Sequence, residues 1–165
     1  MSPRILLSAL ALSLITATGA FSSIAKWPPW ISIESPVNPY DPSARGAAML
    51  VRAAFREGDA QLSDLSGAAE GIVGGVRKTI PLHFDATGHA NVFALRRQWP
   101  TDGTWLIRIA LKSTNAIVTL DRNGEVASVR VPTERTPATH DEVPRAVAAK
   151  EIDSLLAELA EAAKR

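Results

Sequence analysis

Gly103-Thr104-Trp105-Leu106-Ile107-Arg108-Ile109-Ala110-Leu111 decides the fold class. Trp105, Ile107, Ile109 and Leu111 fall on one face of an extended chain. Thr104, Arg108, Ala110 and Lys112 fall on the other, with Leu106 as an apolar exception. Strands send successive side chains to opposite faces, so this period of two reads as a half-buried β-strand. Pro100-Thr101-Asp102-Gly103 is the turn that leads into it.

The same alternation recurs on both sides. Trp30 to Ser35 reads as a first strand, with Ile31 and Ile33 on one face. Gly46 to Arg56 reads as a second, with Met49, Val51 and Phe55 one way and Arg52 and Arg56 the other. Its alanines make helix a competitor, because Ala is the best helix former, but the alternation around Val51 favours strand. Ser66 to Val73 and Val76 to Phe84 flank Gly74-Gly75, a hairpin signal. Pro81 cannot donate to a ladder, which places the later strand at an edge. Asn91 to Arg97 follows, and Asn115 to Asp121 pairs with Glu125 to Val131 through a turn ending in Asn123-Gly124. Many short strands with irregular, proline-rich turns predict an all-β, antiparallel sandwich.

The two ends depart from this pattern. Met1 to Arg4 is a short positive region, Ile5 to Ile15 an apolar run, and small residues follow, as in a secretory signal peptide. Cleavage after Ala20 or Ala25 fits the small-x-small rule, and residues 1–25 are read as the leader because Lys26 then begins a polar mature end. The alternative is a retained membrane anchor, against which the apolar run is short. Cleavage there removes Arg4 and no acid, leaving basic and acidic side chains in balance. That removes any bulk attraction to nucleic acid. With no cysteine, disulfides, thiolate metal sites and a cysteine nucleophile are excluded, and the core alone must stabilise the domain.

After the sandwich, residues 26–131, Pro132 to Pro144 reads as a proline-rich linker. From 145 to 165 the period changes to three and four. Ala148, Ile152, Leu155, Leu156 and Leu159 line one face of an amphipathic helix. Its stripe either packs back on the sandwich or pairs with a partner, and the pattern does not separate the two.

The alternation before Trp99-Pro100, followed by Asp102-Gly103-Thr104-Trp105-Leu106-Ile107-Arg108-Ile109, resembles the closing strands of extracytoplasmic immunoglobulin-like domains of the YtkA/FixH-like kind. Gly46 to Phe55 is similar to their early strand, and the likeness spans roughly Ile31 to Leu111. The resemblance implies an Ig-like sandwich located in the cell envelope as an accessory domain, not an enzyme. The hairpin and helix after Asn115 are not part of the usual domain, and FixH-like proteins keep a membrane anchor. Copper-carrier sandwiches of the CopC type share that fold but use a histidine at the mature N-terminus. Neither Phe21 nor Lys26 supplies one.

Three sets of residues could carry chemistry. His83, Asp85 and His89 form a His-x-Asp-x3-His cluster whose imidazole and carboxylate donors suit zinc or copper(II). Against it stand surface histidines near a turn, since a closed site usually takes four ligands. Arg52, Arg96 and Arg108, with Arg56 and Lys112, would make a basic stripe if their strands are neighbours, or a solvated sheet face if not. Ile152, Leu155, Leu156 and Leu159 would meet a partner if the helix faces outward. Gly71-Ile72-Val73-Gly74-Gly75 lacks the lysine and following helix of a phosphate loop, and no Gly-x-Ser-x-Gly elbow is present.

These observations predict a periplasmic or secreted, non-catalytic Ig-like domain that needs no cofactor and binds another envelope protein. A periplasmic copper or zinc carrier is the second reading and an envelope hydrolase the third. No nucleic-acid partner is expected, and a membrane contact only if the N-terminal segment is retained.

Overall fold

The computed structural model describes residues 28–55 and 58–164. The leader expected over 1–25 and Arg56 of the basic stripe lie outside the described residues. In chain order the strands are β1 (Trp30–Glu34), β2 (Ala47–Phe55), β3 (Gly58–Asp59), β4 (Leu65–Val73), β5 (Val76–Pro81) and β6 (Asp85–Ala86). They continue with β7 (Val92–Arg96), β8 (Thr104–Leu111), β9 (Thr114–Leu120), β10 (Val126–Arg130), β11 (Thr133–Arg135) and β12 (Glu142–Pro144). One helix, α1 (Ala149–Ala163), closes the chain.

Two antiparallel sheets share a core. The first runs β1-β2-β7-β6, with β3 also on β2, and the second runs β10-β9-β8-β4-β5. The stretch quoted above is the central strand of the second sheet. Its Trp105, Ile107, Ile109 and Leu111 meet Ile31, Met49, Val51, Phe93 and Leu95 of the first sheet in one buried cluster. Strand β4 makes room for the aromatic members. Gly67, Ala69 and Gly71 lie opposite Ile109, Ile107 and Trp105 across the ladder. A Cβ on Gly71 would collide with the Trp105 ring, and one on Gly67 would stand 2.8 Å from Phe84. Gly103 is the glycine its turn requires. Its φ is +88°, and a Cβ there would lie 2.6 Å from the Ile72 carbonyl oxygen.

Leu106 finds its reason on the opposite face. It joins Ile117, Ile152 and Leu156 in a second buried cluster, so α1 lies on the outside of the second sheet. The helix ends are tied down as well. Arg122, in the β9–β10 turn, donates from Nη2 to the Ala162 carbonyl at 3.3 Å. At the other end the Arg145 N–H donates to the Pro132 carbonyl at 3.0 Å. The helix therefore lies over β8 and β4 and runs in the direction opposite to β10.

Two expectations are corrected here. Residues 132–144 are not a bare linker: Thr133–Arg135 pairs with Glu142–Pro144 as a small hairpin. The helix starts at Ala149 instead of 145, because Pro144 closes the hairpin and Arg145 is held by backbone and side-chain contacts. Strand β5 ends at Pro81, short of Phe84, and lies at a sheet edge as the missing proline N–H requires. Among the described residues no helix is long and apolar enough to cross a membrane.

Candidate partner-binding cleft

The histidine cluster does not assemble. His83 is exposed, and its backbone is clamped by Gln98, which accepts from the His83 N–H at 2.9 Å and donates to its carbonyl at 2.7 Å. Asp85 pairs with Arg96 of the neighbouring strand. The turn after β6 carries His89 toward the loop between β1 and β2, where its Nε2 lies 3.4 Å from Asp41 Oδ2. The Asp41 carboxyl is held below its ordinary pKa by the Ser43 hydroxyl and backbone N–H, with His89 as a smaller cause. Among the described residues no three metal-capable side chains gather. The structure does not bring His83, Asp85 and His89 together: short spacing in sequence is undone by a turn, by the Asp85–Arg96 ion pair and by the contact of His89 with Asp41.

The basic stripe does not form either. Arg52 and Arg96 belong to the first sheet, where Arg52 Nη2 donates to Glu34 at 2.9 Å and Arg96 is taken by Asp85. Arg108 belongs to the second sheet, 3.5 Å from Glu70 Oε1. Lys112 rests over the Phe55 ring, 4.3 Å from its centroid. Each cation is matched locally, so the three arginines make no continuous field.

Glu70 is the centre of a network that the sequence does not reveal. It is only 5% exposed on the outer face of the second sheet. Its Oε2 accepts from the Thr79 hydroxyl at 2.7 Å and from Arg77 Nη2 at 3.3 Å. Arg77 also pairs with Asp153 of α1, so one guanidinium joins β4, β5 and the helix. A buried carboxylate persists only with such partners.

Of the helix stripe, Ile152 and Leu156 are buried against the sheet, while Leu155 and Leu159 are half-buried at its margin. Leu155 faces an open cleft of about 810 Å³ between α1 and β10. Ile117, Val131, Pro132 and Val147 supply its apolar lining. Lys150, Ser154 and Glu158 follow one another at spacings of four along the helix side of the cleft, and Arg130 approaches from the strand side. Lys150 and Glu158 are two turns apart, roughly 12 Å along the axis at 1.5 Å per residue. The cleft is thus apolar at its floor, basic at one end and acidic at the other.

Arg145 and Glu151 form an ion pair beside Lys150 and Arg130, at the same end of the cleft. Arg145 Nη2 donates to Glu151 Oε1 at 2.6 Å and Nη1 to Oε2 at 2.7 Å. The Ala148 N–H also donates to Oε2, at 3.0 Å, which gives the helix start a carboxylate cap in place of a side-chain cap at Ala148. The Arg145 hydrogen bond and the Ala148 N–H, with the charges of Arg145 and Arg130, pull the Glu151 pKa down to about 2. The sequence reading missed this place because its walls come from three separate segments, around 117, 130–133 and 145–158. The one signal in the sequence is Leu155, a member of the apolar stripe that the sheet leaves half-buried.

No family model, no curated protein and no solved structure matches the chain.

Proposed function

We propose that this chain is an exported, non-catalytic accessory domain with an Ig-like sandwich, and that it binds another envelope protein in the cleft between α1 and β10. The cleft is the observation that carries the reading: an apolar floor with a basic end at Lys150 and Arg130 and an acidic end at Glu158. Such a cleft suits an extended polypeptide segment better than a small ligand, because it is open and its charges are far apart. An extended segment rises about 3.3 Å per residue, so its acidic and basic side chains would stand about four residues apart. The leader-like run at Ile5–Ile15 supports an envelope location.

A photo-crosslinking residue in place of Ser154, in the native cell, tests this. A discrete adduct with one envelope protein, lost in Lys150→Glu and Glu158→Lys variants, is the expected result. An adduct pattern unaltered by both charge reversals would overturn the cleft as the binding place.

A further inference from the structure

The two edges of the second sheet are unlike. Edge strand β5 carries Arg77, Lys78 and Pro81, and charges and proline on an edge discourage strand addition. Edge strand β10 carries no proline and a single cation, Arg130, at its end. Residues 127–130 are exposed, and among the described residues its outer edge has no strand partner. Val129 is the telling residue. Its ladder partner is Val118 of the buried core, so it stands on the inward face, yet it is 44% exposed because the sheet ends there.

We propose that β10 pairs antiparallel with β10 of a second copy of this chain, about a two-fold axis at Val129, so that the two copies' sheets become continuous. The register follows from the side chains. A ladder irregularity falls between Val126 and Ser128, leaving Ser128–Arg130 as the regular stretch. An axis at Val129 sets Val129 against Val129 and Ser128 against Arg130. Two apolar side chains then cover each other, and the arginines face serine instead of one another. An axis on a residue is compatible with either kind of antiparallel pair, hydrogen-bonded or not. The interface is isologous, as two-fold pairing requires. It meets the cleft at Arg130, which lines the strand side of the cleft, while Val129 at the axis is not among the cleft's lining residues.

A contact of this size belongs to the weak, reversible class, so sedimentation velocity from about 1 to about 500 µM is the appropriate range. The protein is expected to shift from one chain to two across it. Val129→Glu and Val129→Lys are each expected to stay single, and their equimolar mixture to pair again, a rescue that misfolding would not give. In a chain without native cysteine, Val129→Cys is expected to form an interchain disulfide, whereas Val76→Cys, exposed on the other edge, is not. A protein that stays single throughout, single variants that still pair, a mixture that does not, or equal crosslinking at 129 and 76 each overturns the proposal.

Discussion

Arg145 and Glu151 form a two-pronged ion pair, 2.6 and 2.7 Å, across the start of α1. Arg145 belongs to the segment returning from the small hairpin and Glu151 to the first turn of the helix. The pair therefore couples the end of β12 to the helix, and through the Arg145 N–H to Pro132 beyond β10.

This pair sets an acid dependence. The Glu151 carboxyl is depressed from an ordinary 4.5 to about 2, so the unfolded chain binds the proton that the folded chain refuses between those values. Its contribution is fully present above the ordinary value and is lost as the pH falls toward 2. Thermal melting from pH 6 to pH 2 is expected to show a fall in Tm that is shallower in Glu151→Gln. Parallel curves for the two proteins would contradict the assignment. The pair is partly exposed, so the effect should also shrink at high salt.

Leu156 tests the docking of α1. It is 2% exposed in the cluster with Leu106, Ile117 and Ile152. Leu156→Ala is expected to cost about 2–3 kcal/mol, toward the low end for buried leucine because the site is near the surface. Hydrogen exchange should rise through α1 and leave β2 and β7 protected. Uniform acceleration over both sheets would mean that the helix is not a separate layer but part of one cooperative core.

How much of this was legible in the sequence depends on whether the deciding partner is near or far along the chain. Strand β8 declares itself because its period of two is a local property, and Asn123-Gly124 declares the turn before β10 for the same reason. Leu106 declared only that something apolar was out of place; its partners Ile152 and Leu156 lie over forty residues away. The 132–144 segment has the composition of a linker, and only the pairing of Glu134 with Val143 turns it into a hairpin. The cluster His83, Asp85, His89 misled in the other direction: its members are close in sequence, but Arg96 and Asp41 draw two of them apart. The cleft is invisible in the sequence because Ile117, Arg130 and Leu155 become neighbours only when α1 lies on the outer face of the second sheet.

Glu70 provides a measure of the network under the helix. It accepts from Thr79 and Arg77 and lies beside Arg108 while almost fully buried. Glu70→Ala removes the buried acceptor, and the exposed Thr79 hydroxyl and both arginines can turn to water, so the cost is that of the lost hydrogen bonds, about 1–2 kcal/mol. Urea denaturation would show it as a lower midpoint. Removing Asp153, whose carboxylate is exposed, should cost at most about 1 kcal/mol. A larger loss at Asp153 than at Glu70 would mean that Arg77, not Glu70, is the anchor of the network.

Gly71 probes the contact on which the core depends. The inner face of β4 carries Gly67, Ala69 and Gly71, and a Cβ at 71 would enter the Trp105 ring. Trp105 cannot swing aside cheaply, because its Nε1 donates to the Asp102 carbonyl at 2.8 Å and its ring is 4% exposed. Gly71→Ala is therefore expected to cost about 1–3 kcal/mol by overpacking. Gly88→Ala, where a Cβ meets nothing within 4 Å, serves as the matched control and should leave the midpoint nearly unchanged. Combining Gly71→Ala with Trp105→Leu separates collision from any backbone effect. If the ring is the obstacle, the alanine adds less loss in the Trp105→Leu background than alone. Equal losses in both backgrounds would place the cost in the strand itself and not in the packing of β4 against the Trp105 ring.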